Sequence, residues 1–478
     1  MPRPLSVLAD RWFDGDHFRS DPVRIDVDGE WVAAIAPAWA APRDGAEVVD
    51  ARGRCVLPGL IDAHAHVARR GCITRHDSPS LTQLGANLQT ALAAGVTTIG
   101  DMGCPPGLIR VIRDFTRDHP TAGPSIAAAG PLLTAPGGYP TYYMTRLLRF
   151  NLIAAPCRDE AEASAWVDQL ARWGMDHVKI ALMRDSFWGT PTPSLDAATT
   201  RAIVAEAHRV GMRVMAHAHW AADYRLAADA GVDVVMHSAL EPLDEDTLDR
   251  LRDAGTMVCP TVWSLECQSL GAETSLQEDA AFARRISPAV RRDLRRFADA
   301  YRASPVDLPR IPGIQGSLSK ARMAEGMAIS VANLRALHDR GVPISYGSDG
   351  PFGYCVLSEP FRELQVLRRA GLAVDECLRA ATSGAAATLG LRDRGRIAPG
   401  LRADLVVVDA TIAERVEALD QPRTVIARGR VLGPATLAIL ARTAAANLRG
   451  LAVNLRDAAR YWGAALAAEL AEGPLGKA

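Results

Sequence analysis

No stretch of the 478-residue chain is apolar for long enough to span a bilayer. Nor does an apolar leader follow Met1-Pro-Arg-Pro-Leu-Ser6, because Asp10, Arg11 and Asp14 come too soon. An excess of one charge is missing as well. The 54 basic and 55 acidic side chains leave a net charge of −1, which argues against nucleic acid or an anionic membrane as the main partner. Paired cysteines are also lacking: Cys55, Cys72, Cys104, Cys157, Cys259, Cys267, Cys355 and Cys377 are scattered, with no CxxC spacing. In a chain this long they read as reduced core thiols rather than a disulfide framework. The expected setting is therefore the cytoplasm, and the expected partner a small-molecule substrate. What remains is ordinary, 48% hydrophobic and 23% charged, with enough chain for one large barrel and a smaller domain.

Residues 21–37 alternate through Val23, Ile25 and Val27, then Trp31-Val-Ala-Ala-Ile35, around an Asp28-Gly29 turn, which is a hairpin pattern. A matching pattern returns in Ala403-Asp-Leu-Val-Val-Val-Asp409 and Arg423-Thr-Val-Ile-Ala427. Two β-rich pieces around a long middle predict one composite β-sandwich domain, built from residues 1–56 and 393–433. The middle, 57–392, supplies eight strand candidates near 55–63, 96–101, 125–130, 177–182, 213–217, 233–237, 256–260 and 343–348, separated by helical stretches. Helix and strand alternating eight times predict an α/β fold of the (β/α)8 TIM-barrel type. Residues 265–335 break the alternation as a long insertion on the active-site side, with a Pro/Gly-rich break at 304–316; they are expected to form a lid. Its arginines (Arg284, Arg285, Arg291, Arg292, Arg295, Arg296, Arg302) read as a solvated face balanced by Asp293 and Asp299, or as recruiters of a substrate carboxylate. Residues 434–478 predict a helical extension with a stripe of Leu448, Leu451, Leu455, Trp462 and Leu466. Its own barrel, the mate in a homo-oligomer and a membrane interface are the partners open to that stripe.

Chemistry gathers at the strand ends, where barrel enzymes build their sites. His64 and His66 are two apart, so they project together from the first strand and can chelate one divalent cation. Lys179 sits in the apolar run His177-Val-Lys-Ile-Ala181, where an unpaired ammonium is costly. Exposure or a carboxylate partner would resolve that cost. So would addition of the neutral amine to carbon dioxide, giving a carbamate able to bridge two metals. His217 and His237 end the fifth and sixth strands and would hold a second metal. His219, further out on the same side, is assigned to substrate contact. Asp349, after the eighth strand in Gly347-Ser-Asp-Gly350, would hold metal and shuttle a proton. Two metals about 3.5–4 Å apart lower the pKa of a bridging water and polarise a carbonyl. Imidazole suits zinc, with manganese, cobalt and iron also open.

The stretches Val56-Leu-Pro-Gly-Leu-Ile-Asp-Ala-His-Ala-His66, Asp176-His-Val-Lys-Ile180, Ala216-His-Ala-His219 and Ala230-Gly-Val-Asp-Val-Val-Met-His237 carry a resemblance. It continues through Gly347-Ser-Asp349, Ala380-Ala-Thr-Ser-Gly-Ala-Ala-Ala-Thr-Leu-Gly390 and Gly395-Arg-Ile-Ala-Pro-Gly-Leu-Arg-Ala-Asp-Leu-Val-Val-Val408. Spanning residues 20–432 in order, the chain resembles the amidohydrolase superfamily, and most closely its imidazolonepropionase-like branch with Xaa-Pro dipeptidases and ochratoxin-type amidases. The resemblance implies two divalent metal ions, His64 and His66 on the first, a carboxylated Lys179 bridging, His217 and His237 on the second, and Asp349 as acid/base. The chain departs from the family at Pro136-Gly-Gly-Tyr-Pro140, where Tyr139 replaces a frequent histidine and could donate to an oxyanion. The aromatic Gly350-Pro-Phe-Gly-Tyr354 suggests a pocket for an apolar group. The expected protein is a binuclear hydrolase whose bridging hydroxide cleaves an amide C–N bond in a dipeptide or N-acyl amino acid. A cyclic amide, carbamate or ester substrate is the near alternative, and a non-catalytic binding protein on the same barrel the distant one.

Overall fold

A computed structural model describes residues 4–72, 81–141, 153–185, 191–269, 279–307 and 319–432. Its centre is a closed ring of parallel strands: β1 (Leu60–Ala65), β2 (Val96–Asp101), β3 (Ser125–Ala128, continued by Leu132–Thr134), β4 (His177–Ala181), β5 (Arg213–His217), β6 (Val234–Met236) and β7 (Met257–Cys259). Apolar and β-branched side chains fill these strands on both faces, as a sheet covered by helices on one side and packed upon itself on the other requires. Ladders join β1 to β2, β2 to β3, and β4 through β7. Leu133 opposite Ile180 and the Asp176 N–H on Ala128 O (2.8 Å) join β3 to β4.

The eighth position is an extended segment, not the regular strand expected at 343–348. It touches β7 at Val258–Ile344 and β1 at Ala65–Gly350, each an isolated parallel bridge. Pro343 has no N–H to give, and Asp349 takes a left-handed φ of 53°, so no continuous ladder can run through it. Single bonds still close the ring, from Ser345 N to Val258 O (2.9 Å), Ala63 N to Tyr346 O (3.1 Å) and Asp349 N to His64 O (2.6 Å). Gly347 permits this approach: a Cβ there would lie 2.7 Å from that of His64.

The helices around the ring begin and end where their local chemistry says. Asp159, Asp196 and Asp244 cap Glu160–Arg172, Ala197–Arg209 and Glu245–Ala254. Gly231 ends Ala221–Ala230 in the left-handed region at φ 77°, so the chain can turn directly into β6.

Both chain ends build the small domain. One sheet orders Trp31–Pro37, Val23–Asp28, Leu5–Ala9 and Glu47–Asp50; the other runs Arg430–Leu432, Thr424–Ala427, Leu405–Asp409, Arg54–Pro58, Arg11–Phe13 and Phe18–Arg19. The seam is antiparallel, Leu405 opposite Pro58 through Asp409 opposite Arg54. Between the sheets, Val7, Ile25 and Val56 pack with Leu405, Val407 and Ile426.

The insertion is mostly helical, with Val262–Ser269, Ala280–Arg285 and Pro288–Ala303 ahead of the regular barrel helix Lys320–Asp339. Val290, Leu294 and Phe297 pack on Phe352, Tyr354 and Val356, just beyond Asp349. This corrects the pocket expected at 350–354: Phe352 and Tyr354 are already buried under the insertion. Arg285 is not a solvated residue either, since it pairs with Glu359 at 2.6 Å and Asp420 at 2.7 Å, whereas Arg302 pairs with Asp299 on the surface. Most of the 304–316 break and all of the expected 434–472 helix lie outside the described residues. All eight cysteines are buried thiols. Among the described residues, no helix is long and apolar enough to cross a membrane.

Candidate metal centre

Two clusters of ligand-type side chains meet at the C-terminal end of the ring. His64, His66 and Asp349 form one, and His217, His219 and His237 the other; within each, the candidate ligand atoms lie within 4.8 Å of one another. The His64 and His237 rings, 4.7 Å apart, join the two. Alternation along β1 puts His64 and His66 on one face, and the turn at Asp349 brings its Oδ1 to 3.5 Å and 3.0 Å from their Nε2 atoms. His217 ends β5. His237 follows β6 with φ 78°, and its Nδ1 lies 2.8 Å from Thr261 Oγ1. Thr261 is itself left-handed, at φ 48°. Positive φ at three non-glycine residues of one site is backbone strain that the surrounding bonds must hold.

Lys179 stands opposite Met215 in the β4–β5 ladder, one step below His217. Its side chain is buried, and its Nζ has no hydrogen-bond partner among the described residues. Burial, only partly opposed by the Asp349 charge, brings this amine down to about 7, so its neutral form is accessible near neutral pH. The Lys179 charge in turn disfavours protonation of His64, His66, His217, His219 and His237, so the amine lies within electrostatic reach of both clusters. Burial also drives the imidazoles down, His66 and His219 to about 4, so all present neutral nitrogens. It works against the Asp349 carboxylate, but the hydrogen bond from His66, the neighbouring imidazoles and the Arg69 charge outweigh it and keep Asp349 ionised.

His219, assigned to substrate contact further out on the same side as His217, is 1% exposed and stacks on His237 at 4.8 Å. The strand ends at His217, the Leu240 N–H bonds His219 O at 2.9 Å, and the chain folds the ring back among its neighbours. Tyr139 lies flat on His217, with ring centres 4.1 Å apart and 16° between planes.

Several residues escaped the sequence reading. Asp62 is buried and braces the site from below, accepting bonds from Ser348 N (2.9 Å), Ser348 Oγ (2.5 Å) and His64 N (3.1 Å). Burial raises it to about 7 against those bonds. Its signal was available, as a charge two residues before His64 on the same face of β1. Thr261 and Arg69 (Nη1 3.5 Å from Asp349 Oδ1) sit in turns, where no periodicity marks a direction, and Ser264 (Oγ 3.3 Å from Asp349 Oδ2) lies in the first turn of helix Val262–Ser269. Beside His219, a cavity of about 290 Å³ opens between Trp220, Leu240, Pro242, Met323 and Ile329, with Arg322 at its edge.

The donor set fits divalent metal. Neutral imidazoles, one ionised carboxylate and a deprotonatable amine converge, and His64 Nδ1, His66 Nδ1, His217 Nε2 and Lys179 Nζ are buried without a hydrogen-bond partner among the described residues.

Comparison with known proteins agrees with this architecture. The chain is 27% identical over 395 residues to an uncharacterised protein of Mycobacterium tuberculosis, covering 80% of this chain and 86% of that one. An imidazolonepropionase of Streptomyces coelicolor is 25% identical over 406 residues, with 83% and 88% of the two chains covered. Among solved structures, a Xaa-Pro dipeptidase with methionine bound in its active site superimposes with a TM-score of 0.71 at 23% identity, over 90% of this chain and 100% of that one. Residues 55–432 match the amidohydrolase family itself. The chain belongs to the amidohydrolase family.

Proposed function

We propose that the protein is a binuclear, metal-dependent hydrolase that cleaves the C–N amide bond of a dipeptide or N-acyl amino acid. One observation carries this reading: Lys179, buried and without a hydrogen-bond partner among the described residues, lies one ladder step below His217 and within electrostatic reach of five imidazoles and an ionised carboxylate. An amine in that position is a liability as an ammonium and an asset as a carbamate, which would supply an anionic oxygen donor to a divalent metal site. Bound there, two divalent cations, zinc best matching the imidazoles, would supply Lewis acidity and an activated water. His64 and His66 would hold one and His217 and His237 the other, with Asp349 beside the first pair.

The chain's own groups do the remaining work. Asp349, kept ionised, accepts a proton from the attacking water and passes it to the departing nitrogen. Tyr139, set over His217, offers its phenol to the carbonyl oxygen as negative charge develops. His219, with Nδ1 3.1 Å from Ser238 O and its ring against those of His217 and His237, would contact the substrate. The cavity beside Trp220 and Leu240, lined by apolar groups together with Glu241, Arg322 and Glu325, gives a substrate side chain a place to go. The similarity to a Xaa-Pro dipeptidase that holds methionine supports an amino-acid substrate. Eight buried thiols suit a reducing compartment, and we assign the protein to the cytoplasm.

The test is elemental analysis together with a substrate panel of dipeptides, N-acyl amino acids, lactams, carbamates and esters. About two metal equivalents per chain and turnover of the first two classes are expected. One equivalent or none, or a Lys179→Ala variant that keeps both metal and turnover, defeats the proposal.

A further inference from the structure

The geometry points to Arg69 as the anchor for a free carboxylate on the substrate; this rests on the amide-hydrolase reading above. Arg69 lies just past β1, in a turn held by its own N–H on His66 O at 3.0 Å. Its Nη1 reaches to 3.5 Å from Asp349 Oδ1. The side chain is 26% exposed, so it remains reachable from solvent. Its positive charge is directed into the site, where it lowers the proton affinity of His64, His66, Lys179 and Asp349.

A guanidinium beside a two-cation site is only partly balanced: Asp349 lies 3.5 Å away and the buried Asp101 also feels its charge. With Asp349 Oδ1 given to a cation, Arg69 would face added like charge, and a substrate anion within reach would offset it. A guanidinium takes a carboxylate through two parallel hydrogen bonds, which fixes orientation as well as affinity. Tyr139 and the cavity beside Leu240 lie on the opposite side, with His217 and His219. A substrate anchored at Arg69 therefore spans the two clusters, its amide between them and its acyl part toward Tyr139. The substrate class narrows to amides whose amine-derived half carries a free carboxylate.

The experiment uses the zinc-loaded full chain and compares N-acyl amino acids with the corresponding N-acyl amino-acid amides, which lack only the negative charge. Wild type should prefer the acids, mainly through KM. Arg69→Met should cut kcat/KM for the acids about 10- to 100-fold further than for the amides, with the metal content retained. Arg69→Lys should recover part of the loss. Equal losses on acids and amides, or lost metal, would mean that Arg69 acts only through Asp349 and would overturn the assignment. If wild type cleaves neither series, the amide-hydrolase reading fails separately, and the anchor is read by titrating the loaded protein with methionine and methioninamide. Tighter binding of methionine that Arg69→Met abolishes supports the anchor; equal binding of both by wild type overturns it.

Discussion

Lys179 concentrates the chemistry of the chain in one side chain. Only three lysines, Lys179, Lys320 and Lys477, stand among 54 basic residues, so the chain meets nearly every need for positive charge with arginine. A guanidinium cannot shed its proton in a protein, whereas a buried amine can. Position 179 uses the one basic side chain that can become neutral. The cost falls on the metal-free fold, which buries a polar nitrogen with no hydrogen-bond partner among the described residues. Lys179→Met should therefore raise the unfolding free energy of metal-free protein by about 1–3 kcal/mol while abolishing tight metal binding. The pH dependence follows from the downward shift to about 7. Between that pH and the ordinary lysine range, the unfolded chain binds the extra proton, so wild-type stability climbs as pH rises. The advantage of the Met variant is then largest at and below about pH 7 and shrinks toward pH 10. Denaturant unfolding across that range checks both statements; a less stable Met variant in metal-free buffer would refute them. Lys179 was readable because a lone charge in an apolar strand is conspicuous. Arg69 was not, since a turn after a strand carries no period to say where its side chain points.

At the scale of elements, the site depends on a carboxylate that touches none of the candidate ligands. Glu363, buried on helix Phe361–Arg369, accepts the N–H groups of Val262 (2.9 Å) and Trp263 (2.6 Å) and so caps helix Val262–Ser269. That cap holds the turn from which Thr261 reaches His237 and Ser264 reaches Asp349. One distant side chain thus orients groups in both clusters, and ligand-orienting contacts of this kind are worth about 10- to 100-fold in metal affinity. Glu363→Ala should weaken zinc binding by about that factor and leave two buried amides without acceptors, at a cost of about 1–3 kcal/mol in stability. Thr261→Val, which removes the hydroxyl at nearly constant volume, should weaken zinc without the loss of stability. A competitive chelator titration measures both; unchanged affinity in the two variants would show that the turn holds itself. The seven regular strands were legible because apolar runs bounded by glycine and capping aspartates are local signals. The irregular eighth segment and the link from Glu363 to Val262 were not. The first is set by Pro343 and the turn at Asp349, the second by contacts 101 residues apart.

Across the whole molecule, the sandwich and the barrel are coupled through one backbone joint. Strand Arg54–Pro58 belongs to the composite sheet, β1 starts at Leu60, and only Gly59 separates them. The histidine-bearing strand therefore takes its position from a sheet whose partner strand, Leu405–Asp409, arrives from the far end of the chain. The alternating patterns at the two ends announced a shared domain, but not that its middle strand would run straight into the site. Gly59 is required at the joint: a Cβ there would lie 2.1 Å from Thr97 Oγ1 and 2.9 Å from Thr97 Cβ, and Thr97 is a buried, stiff β-branched residue of β2. Gly59→Ala must push β1 away from β2, with an expected loss of about 1–3 kcal/mol from overpacking. Because His64 and His66 ride on β1, the same change should weaken zinc binding, although no candidate ligand has been touched. Thr97→Ala in the same chain removes the Oγ1 and Cγ2 contacts and should restore much of both losses, giving a coupling of about 0.5–3 kcal/mol in a double-mutant cycle. Additive effects on stability and zinc affinity would show that the joint is compliant and that the sandwich does not set the position of the metal-binding strand.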